Sequence, residues 1–223
     1  MSASLPANVR VSKHPVIHAK LSQLRSRTLD TRLARLLADE IASLLAYEAT
    51  ATSLTTQIAG QGETPIGAAY DVLALTPGRL CLVPILRSGL AMTDPFLRVL
   101  PTLTEVHHLG LFREEHTQNA IEYYNKVPKQ DAVKGPIEQA FLVDPIVATG
   151  NTACAAIQIL KEWGIKKIVL TCMLASEAGL RRAAAEWPEG VEIVVGAVDA
   201  GLTDKLYITP GLGDIGDRLF QTK

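Results

Sequence analysis

Val143-Asp144-Pro145-Ile146-Val147-Ala148-Thr149-Gly150-Asn151-Thr152 is the stretch on which the reading of the fold turns. Before it, Gln139-Ala140-Phe141-Leu142-Val143 is a short apolar run that ends at a carboxylate, the pattern of a buried strand. After it, Ala153, Ala156, Ile157, Leu160 and Trp163 fall on one helical face, and Gly164 supplies a C-terminal stop. The quoted residues are therefore a turn from strand into helix, and open α/β sheets bind ligands at the carboxyl ends of their strands. Residues 148–152 are small or turn-forming, so their N–H groups can approach an anion closely. Thr149 and Thr152 add hydroxyls, and the helix that follows brings unpaired N–H groups and the positive end of its dipole. This is a phosphate cradle, with Asp144 at its upstream edge placed to accept hydrogen bonds from sugar hydroxyls. The turn matches neither the P-loop pattern nor Gly-x-Gly-x-x-Gly.

The same grammar recurs outward from the turn. Residues 80–85 read as a buried strand that ends at Arg87-Ser88-Gly89, followed by a helix over 90–100. Residues 105–112 are expected as one strand, with His107 and His108 on opposite faces and both structural. Residues 167–174 and 191–198 are further strands separated by a helix over 177–187 that Pro188 ends. On the N-terminal side, Asp30 caps a helix to about Tyr47, whose packed face is read as Leu33, Leu36, Leu37, Ile41, Leu44 and Leu45. His14-Pro15 is read as a break in regular structure, and residues 50–79 contain strand-like fragments without a firm place. Alternating strands and helices indicate a mostly parallel, doubly wound α/β sheet flanked by helices.

Composition excludes several classes. The formal net charge is −1 and aromatic residues are few, so the chain offers neither a basic stripe nor stacking platforms for nucleic acid. No apolar run reaches membrane-span length, and residues 1–8 show no secretory signal, so the expected compartment is the cytoplasm. Cys81, Cys154 and Cys172 are an odd number in apolar runs without metal-ligand spacing, which marks them as core thiols. The tail, Tyr207-Ile208-Thr209-Pro210-Gly211-Leu212-Gly213-Asp214-Ile215-Gly216-Asp217-Arg218, holds three glycines and two aspartates in a short span, a composition that exposes backbone donors and acceptors to a ligand.

Four separated segments now stand together: Val83 to Gly89, Gly110 to Thr117, Asp144 to Thr152, and Tyr207 to Arg218. Their order and spacing resemble the uracil phosphoribosyltransferase family, and Tyr47-Glu48-Ala49-Thr50 resembles its stretch after the first long helix. The turn at 144–152 resembles type I phosphoribosyltransferases generally, whereas Pro210-Gly211-Leu212-Gly213-Asp214 resembles the uracil enzymes in particular. The resemblance covers the chain from about His14 onward. It implies one phosphoribosyltransferase domain, with an N-terminal extension over about 1–28, a β-arm or flap over about 112–125, and a base-binding hood over about 200–223. It implies that uracil and 5-phosphoribosyl pyrophosphate (PRPP) give UMP and diphosphate, in pyrimidine salvage, with Mg²⁺ held mainly by the PRPP diphosphate and water.

By matching position, the resemblance places Arg87 and Arg113 on the diphosphate as catalytic residues together with Asp214. It places Asp144, Pro145, Ile146, Val147, Ala148, Thr149, Gly150, Asn151 and Thr152 on the ribose hydroxyls and 5′-phosphate, with Asp214 beside the ribose. Ile208, Gly213, Asp214 and Ile215 are implied to hold uracil. Asp217 is read as a turn-capping side chain. A homodimer or higher homo-oligomer is implied, and GTP is a candidate effector. The chain departs from the family pattern at Ser88, Asn151, Ile215 and Gln221, where Ala, Gly, Ala and Gly are usual. Asn151 is read as keeping the phosphate nest through its tolerance of left-handed backbone. Ile215 keeps open a phosphoribosyltransferase for another base, and a non-catalytic nucleotide-sensing protein on the same fold is a third reading.

Overall fold

The computed structural model describes residues 4–113, 120–125 and 135–222. In chain order the elements are β1 (Val9–Val11), α1 (Pro15–Leu24), α2 (Thr31–Ser53), β2 (Thr55–Glu63), β3 (Ala69–Thr76), β4 (Leu80–Leu86), a 3-10 turn (Ser88–Met92), α3 (Thr93–Val99), β5 (Glu105–Val106), β6 (Leu109–Arg113), β7 (Ala120–Asn125), β8 (Gln139–Val143), β9 (Ile146–Val147), α4 (Asn151–Trp163), β10 (Lys167–Ser176), α5 (Glu177–Glu186), β11 (Val191–Asp199), β12 (Gly201–Leu202), β13 (Ile208–Thr209) and α6 (Ile215–Phe220).

The central sheet runs β1-β11-β10-β8-β4-β6-β7, with β5 also on β4 and β9 on β10. Every pairing in it is parallel except β6 with β7. Successive side chains of a strand face opposite ways, and here both faces are covered. Leu82, Phe141, Val169 and Met173 pack with α1, α2, α3 and α6 on one side. Cys81, Leu142, Leu170 and Cys172 pack with α4 and α5 on the other. This is the mostly parallel, helix-flanked sheet expected from the sequence. Among the described residues, no helix is long and apolar enough to cross a membrane.

Several expectations need correction. His14-Pro15 starts a helix rather than breaking one: His14 is the N-cap of α1 and its ring accepts from the Val16 N–H. Proline is at home in a first helical turn, where its missing N–H costs nothing, and Ile17, Leu21 and Leu24 then bury one face. Residues 4–28 thus supply β1, which pairs with β11 inside the central sheet, and α1, which enters the core. Asp30 does cap α2, accepting from Leu33 N–H at 2.9 Å, but the helix runs on to Ser53. Its buried stripe is largely alanine (Ala34, Ala38, Ala42, Ala46 and Ala49, with Leu37, Ile41 and Leu45), while Leu33 and Leu36 are exposed. Small residues let the sheet approach the helix axis, so the stripe follows close packing rather than side-chain size. The strand expected over 105–112 is broken at His107-His108 into β5 and β6. Residues 50–79 form the end of α2 and an antiparallel hairpin, β2–β3, which pairs only with itself.

Candidate active site

From β4 the chain passes to β6 on one side of the sheet and returns to β8 on the other side of β4. The order therefore reverses between β4 and β8, and a crevice opens at the carboxyl ends of such a pair. Arg87 and Ser88 leave the end of β4, and Asp144 leaves the end of β8. Ser88 Oγ donates to Asp144 Oδ1 at 2.9 Å, across the switch. The turn after β4 is packed tightly, since a Cβ on Gly89 would stand 2.5 Å from the Val143 carbonyl. The Leu86–Arg87 peptide is cis.

Beyond Asp144 the chain makes β9 and then the turn into α4. Gly150 is the N-cap and adopts left-handed backbone, φ 82°, so Gly150 rather than Asn151 takes the left-handed position. Asn151 is the first helical residue. The turn rests on the start of α5. Ser176 Oγ donates to the Ala148 carbonyl at 2.5 Å and accepts from the Gly179 N–H at 2.9 Å. A Cβ on Gly179 would lie 2.3 Å from the Ala148 oxygen, so only glycine admits this approach. The first N–H groups of α4 lie beyond the reach of any carbonyl within the helix, and that of Asn151 turns to Thr149 Oγ1 at 3.5 Å.

These elements and the C-terminal segment enclose a cavity of about 540 Å³. Arg87, Asp144, Ile146, Val147, Ala148, Thr149, Gly150, Thr152, Ile208, Gly213, Asp214 and Ile215 all line it, so the cradle and the glycine-rich tail share one space. Pro145 and Asn151 are not in its wall; the Pro145 carbonyl instead accepts from Met173 and Leu174 N–H at 3.0 and 3.1 Å, anchoring the turn to β10. Arg113 ends β6, its backbone paired with Ala120, and its side chain lies outside the described residues. Phe112, Tyr123, Lys205, Leu206, Tyr207 and Leu212, which sequence reasoning did not name as site residues, are also in the wall. Phe112 and Tyr123 come from the β6–β7 hairpin with ring centroids 6.1 Å apart. Their signal was the strand pattern over 105–112 and the strand-like piece over 120–125, read as a strand and as part of an arm over about 112–125.

The tail folds further than its glycine content suggested. Asp214 is exposed in the cavity wall and is also the N-cap of α6, accepting from the Asp217 N–H at 3.1 Å. The capping role expected of Asp217 thus belongs to Asp214. Asp217 Oδ1 lies 3.9 Å from Arg87 Nη2 and accepts from Thr222 Oγ1. Ile215 is 4 % exposed; although it touches the cavity, it is packed in the apolar cluster with Leu212 and Leu219. Burial pushes the thiols of Cys81 and Cys154 up to about 12 and about 11, and raises that of Cys172 further, so none is a thiolate nucleophile at neutral pH. Among the described residues, no group of 3 or more His, Cys, Asp or Glu side chains could hold a metal ion.

The protein-family profile described as uracil phosphoribosyltransferase matches residues 11–222. A uracil phosphoribosyltransferase of Dictyoglomus turgidum is 41 % identical over 215 residues, covering 96 % of this chain and 100 % of that protein. One from Staphylococcus aureus is 42 % identical over 217 residues, covering 97 % and 100 %. Among solved structures, the AQ2163 protein of Aquifex aeolicus superimposes with a TM-score of 0.84 at 33 % identity, over 96 % of this chain and 99 % of that one.

Proposed function

The chain belongs to the uracil phosphoribosyltransferase family, and from that premise we propose that its cavity joins uracil to the ribosyl carbon of PRPP, giving UMP and diphosphate. The observation that carries the proposal is the meeting, in one cavity, of an anion-binding turn at 144–152 and a backbone-rich loop at 212–216. A phosphorylated sugar and a base with N–H and C=O edges need just those two surfaces side by side.

The turn after β9 and the N-terminus of α4 hold the 5′-phosphate through backbone N–H groups and the hydroxyls of Thr149 and Thr152. Asp144 accepts from the ribose hydroxyls. Arg87, with Arg113 carried over from the family, faces the departing diphosphate and stabilises the charge that grows as the bond to it breaks. The ribosyl carbon becomes cation-like in that step, and the Asp214 carboxylate, exposed in the cavity wall, is the anion nearest the proposed base loop. Gly213 and its neighbours read the base through main-chain groups. A base whose donor and acceptor are exchanged, as in cytosine, leaves buried polar groups unpaired and is rejected.

Mg²⁺ belongs to the proposal as well. The carboxylates in the cavity wall, Asp144 and Asp214, are single groups rather than a cage, which fits a small ion carried in by diphosphate and water. When bound, it neutralises diphosphate charge. A cytoplasmic location, a homodimer and GTP as an effector complete the reading; the last rests on family resemblance alone and is tested by adding GTP to the same assay.

The experiment is pyrophosphate release from PRPP and Mg²⁺ with each pyrimidine and purine base in turn. Release with uracil is the expected outcome; release only with another base, or with none, overturns the assignment in favour of one of its two rivals. Asp214→Asn separates chemistry from folding, because asparagine caps a helix as well as aspartate does. The variant is expected to keep its thermal midpoint and lose most of its turnover, and near-normal rates would remove Asp214 from the mechanism.

A further inference from the structure

The loop between β13 and α6 is held from behind by side chains that do not line the cavity. Arg25, at the C-terminal end of α1, meets Asp199, the last residue of β11, through two bonds: Nη1 to Oδ2 at 2.7 Å and Nη2 to Oδ1 at 2.8 Å. The same Nη1 donates to the Gly211 carbonyl at 2.7 Å, and Asp199 Oδ2 accepts from the Gly211 N–H at 2.9 Å. Both backbone groups of Gly211 are therefore consumed by one ion pair. Gly211 itself cannot be another residue without displacement: its φ is 61° and a Cβ would lie 2.0 Å from the Ile208 oxygen.

The next carbonyl is held in the same way. Arg218 Nη1 donates to Leu212 O at 2.7 Å and to Leu24 O at 2.6 Å, while Nη2 donates to Ser26 O at 2.9 Å. Two guanidiniums thus join the C-terminal end of α1 to consecutive carbonyls of the loop. An exposed pair would contribute little, but Asp199 is only 8 % exposed and the Arg25 fork is bidentate, the arrangement that fixes direction as well as distance. Fixing Gly211 N–H, Gly211 C=O and Leu212 C=O on the outer side determines which main-chain groups of Gly213 and Asp214 turn toward the cavity.

We propose that Arg25, Asp199 and Arg218 are positioning residues for base recognition, forming a clamp that sets the donor and acceptor pattern the 211–214 loop presents to the nucleobase. The inference deepens the functional reading above and rests on it. The phosphate turn at 144–152 hangs from β9, β10 and α5 and shares none of these contacts, so the clamp acts directly on the base loop and reaches the sugar only through Asp214.

The test is steady-state kinetics of the full chain carrying Arg25→Lys, Asp199→Asn or Arg218→Lys. Lysine keeps the charge of arginine without its two-pronged geometry, so Arg25→Lys is expected to raise the KM for uracil about tenfold and to move the KM for PRPP by less than about twofold. Asp199→Asn and Arg218→Lys are expected to show the same split. A merely structural contact would move both KM values together or lower only the yield of folded protein. Parallel changes in the two constants, or an unchanged KM for uracil in all three variants, overturn the clamp. The wild-type rate tests the reading on which it rests; the ratio of variant to wild type, taken with whichever base the wild type uses, tests the clamp itself.

Discussion

Ser88 shows how a single hydroxyl can matter at this site. Its bond to Asp144 Oδ1 spans the switch between β4 and β8, and both residues line the cavity. Removing it takes one fixed hydrogen bond from the Asp144 carboxylate, the group proposed above to meet the ribose. Ser88→Ala is expected to raise the KM for PRPP about fivefold, the equivalent of one ordinary hydrogen bond of about 1 kcal/mol, with the KM for uracil unchanged. Ile215 poses the opposite case. The sequence left open whether its side chain enters the base pocket, because a side chain's direction depends on where α6 begins. It is the first residue of α6 and nearly buried among Leu212, Leu219 and their neighbours. Ile215→Ala is therefore expected to cost about 2–4 kcal/mol of stability as a core cavity, measured by denaturant unfolding, while the ranking of bases stays the same. Gln221 ends α6 in left-handed backbone, φ 55°. Glycine adopts that conformation without the Cβ penalty, so Gln221→Gly is expected to stabilise the chain by up to about 1 kcal/mol.

At the scale of elements, the strands and helices around 139–199 were legible because each is a simple case: apolar runs for two-sided strands, a 3.6-residue stripe for α4, glycine at its end. What stayed hidden were features that depend on tertiary contact. α1 was missed because its proline and histidine look like a break until the cap is seen, and the packed face of α2 was misjudged because its alanines are small by design of the contact rather than weakly apolar. The support of the phosphate turn by Ser176 and Gly179 has no local signature beyond an N-cap before Glu177. The division between β5 and β6 is similar. There His107 is 9 % exposed, its ring stands edge-on to Trp163 at 5.2 Å, and Nε2 lies 3.3 Å from Glu105 Oε2. Burial lowers its pKa below the ordinary histidine value, although the charge and hydrogen bond of Glu105 oppose this and the charge of His108 reinforces it. A folded-state pKa below the unfolded one means that stability is present above the unfolded value and lost as the unfolded chain takes up its proton. The thermal midpoint is expected to fall as pH drops below about 6.5, and His107→Gln should flatten that slope in a calorimetric series; an unaltered slope would show that other groups carry it.

The whole molecule presents apolar surface that a lone chain leaves unfinished. β2 and β3 pair only with each other, outside the central sheet, and two-stranded hairpins in water are marginal without something to pack against. Ile58 and Leu73 stand directly opposite one another in the register and are 64 % and 60 % exposed. They form an apolar cross-strand pair facing solvent. On the body of the molecule, Leu33, Leu36 and Tyr47 of α2 are exposed as well. Sequence reading placed the arm at 112–125 and missed this one: Gln61-Gly62 looks like a turn but lies inside β2, and the bend itself falls at 64–68. The homodimer proposed above gives both surfaces a cover: the hairpin of one protomer laid on its partner. Light scattering should then report about twice the 24.0 kDa of one chain. The double substitution Ile58→Asp and Leu73→Asp places two charges where apolar contact is required, which costs more than the interface can return, and should leave a species of 24.0 kDa. Neither residue belongs to either core cluster, so the variant should keep the circular dichroism of the folded protein. A wild type that runs at the mass of one chain removes the dimer, and a variant that stays at twice that mass removes the hairpin from its interface.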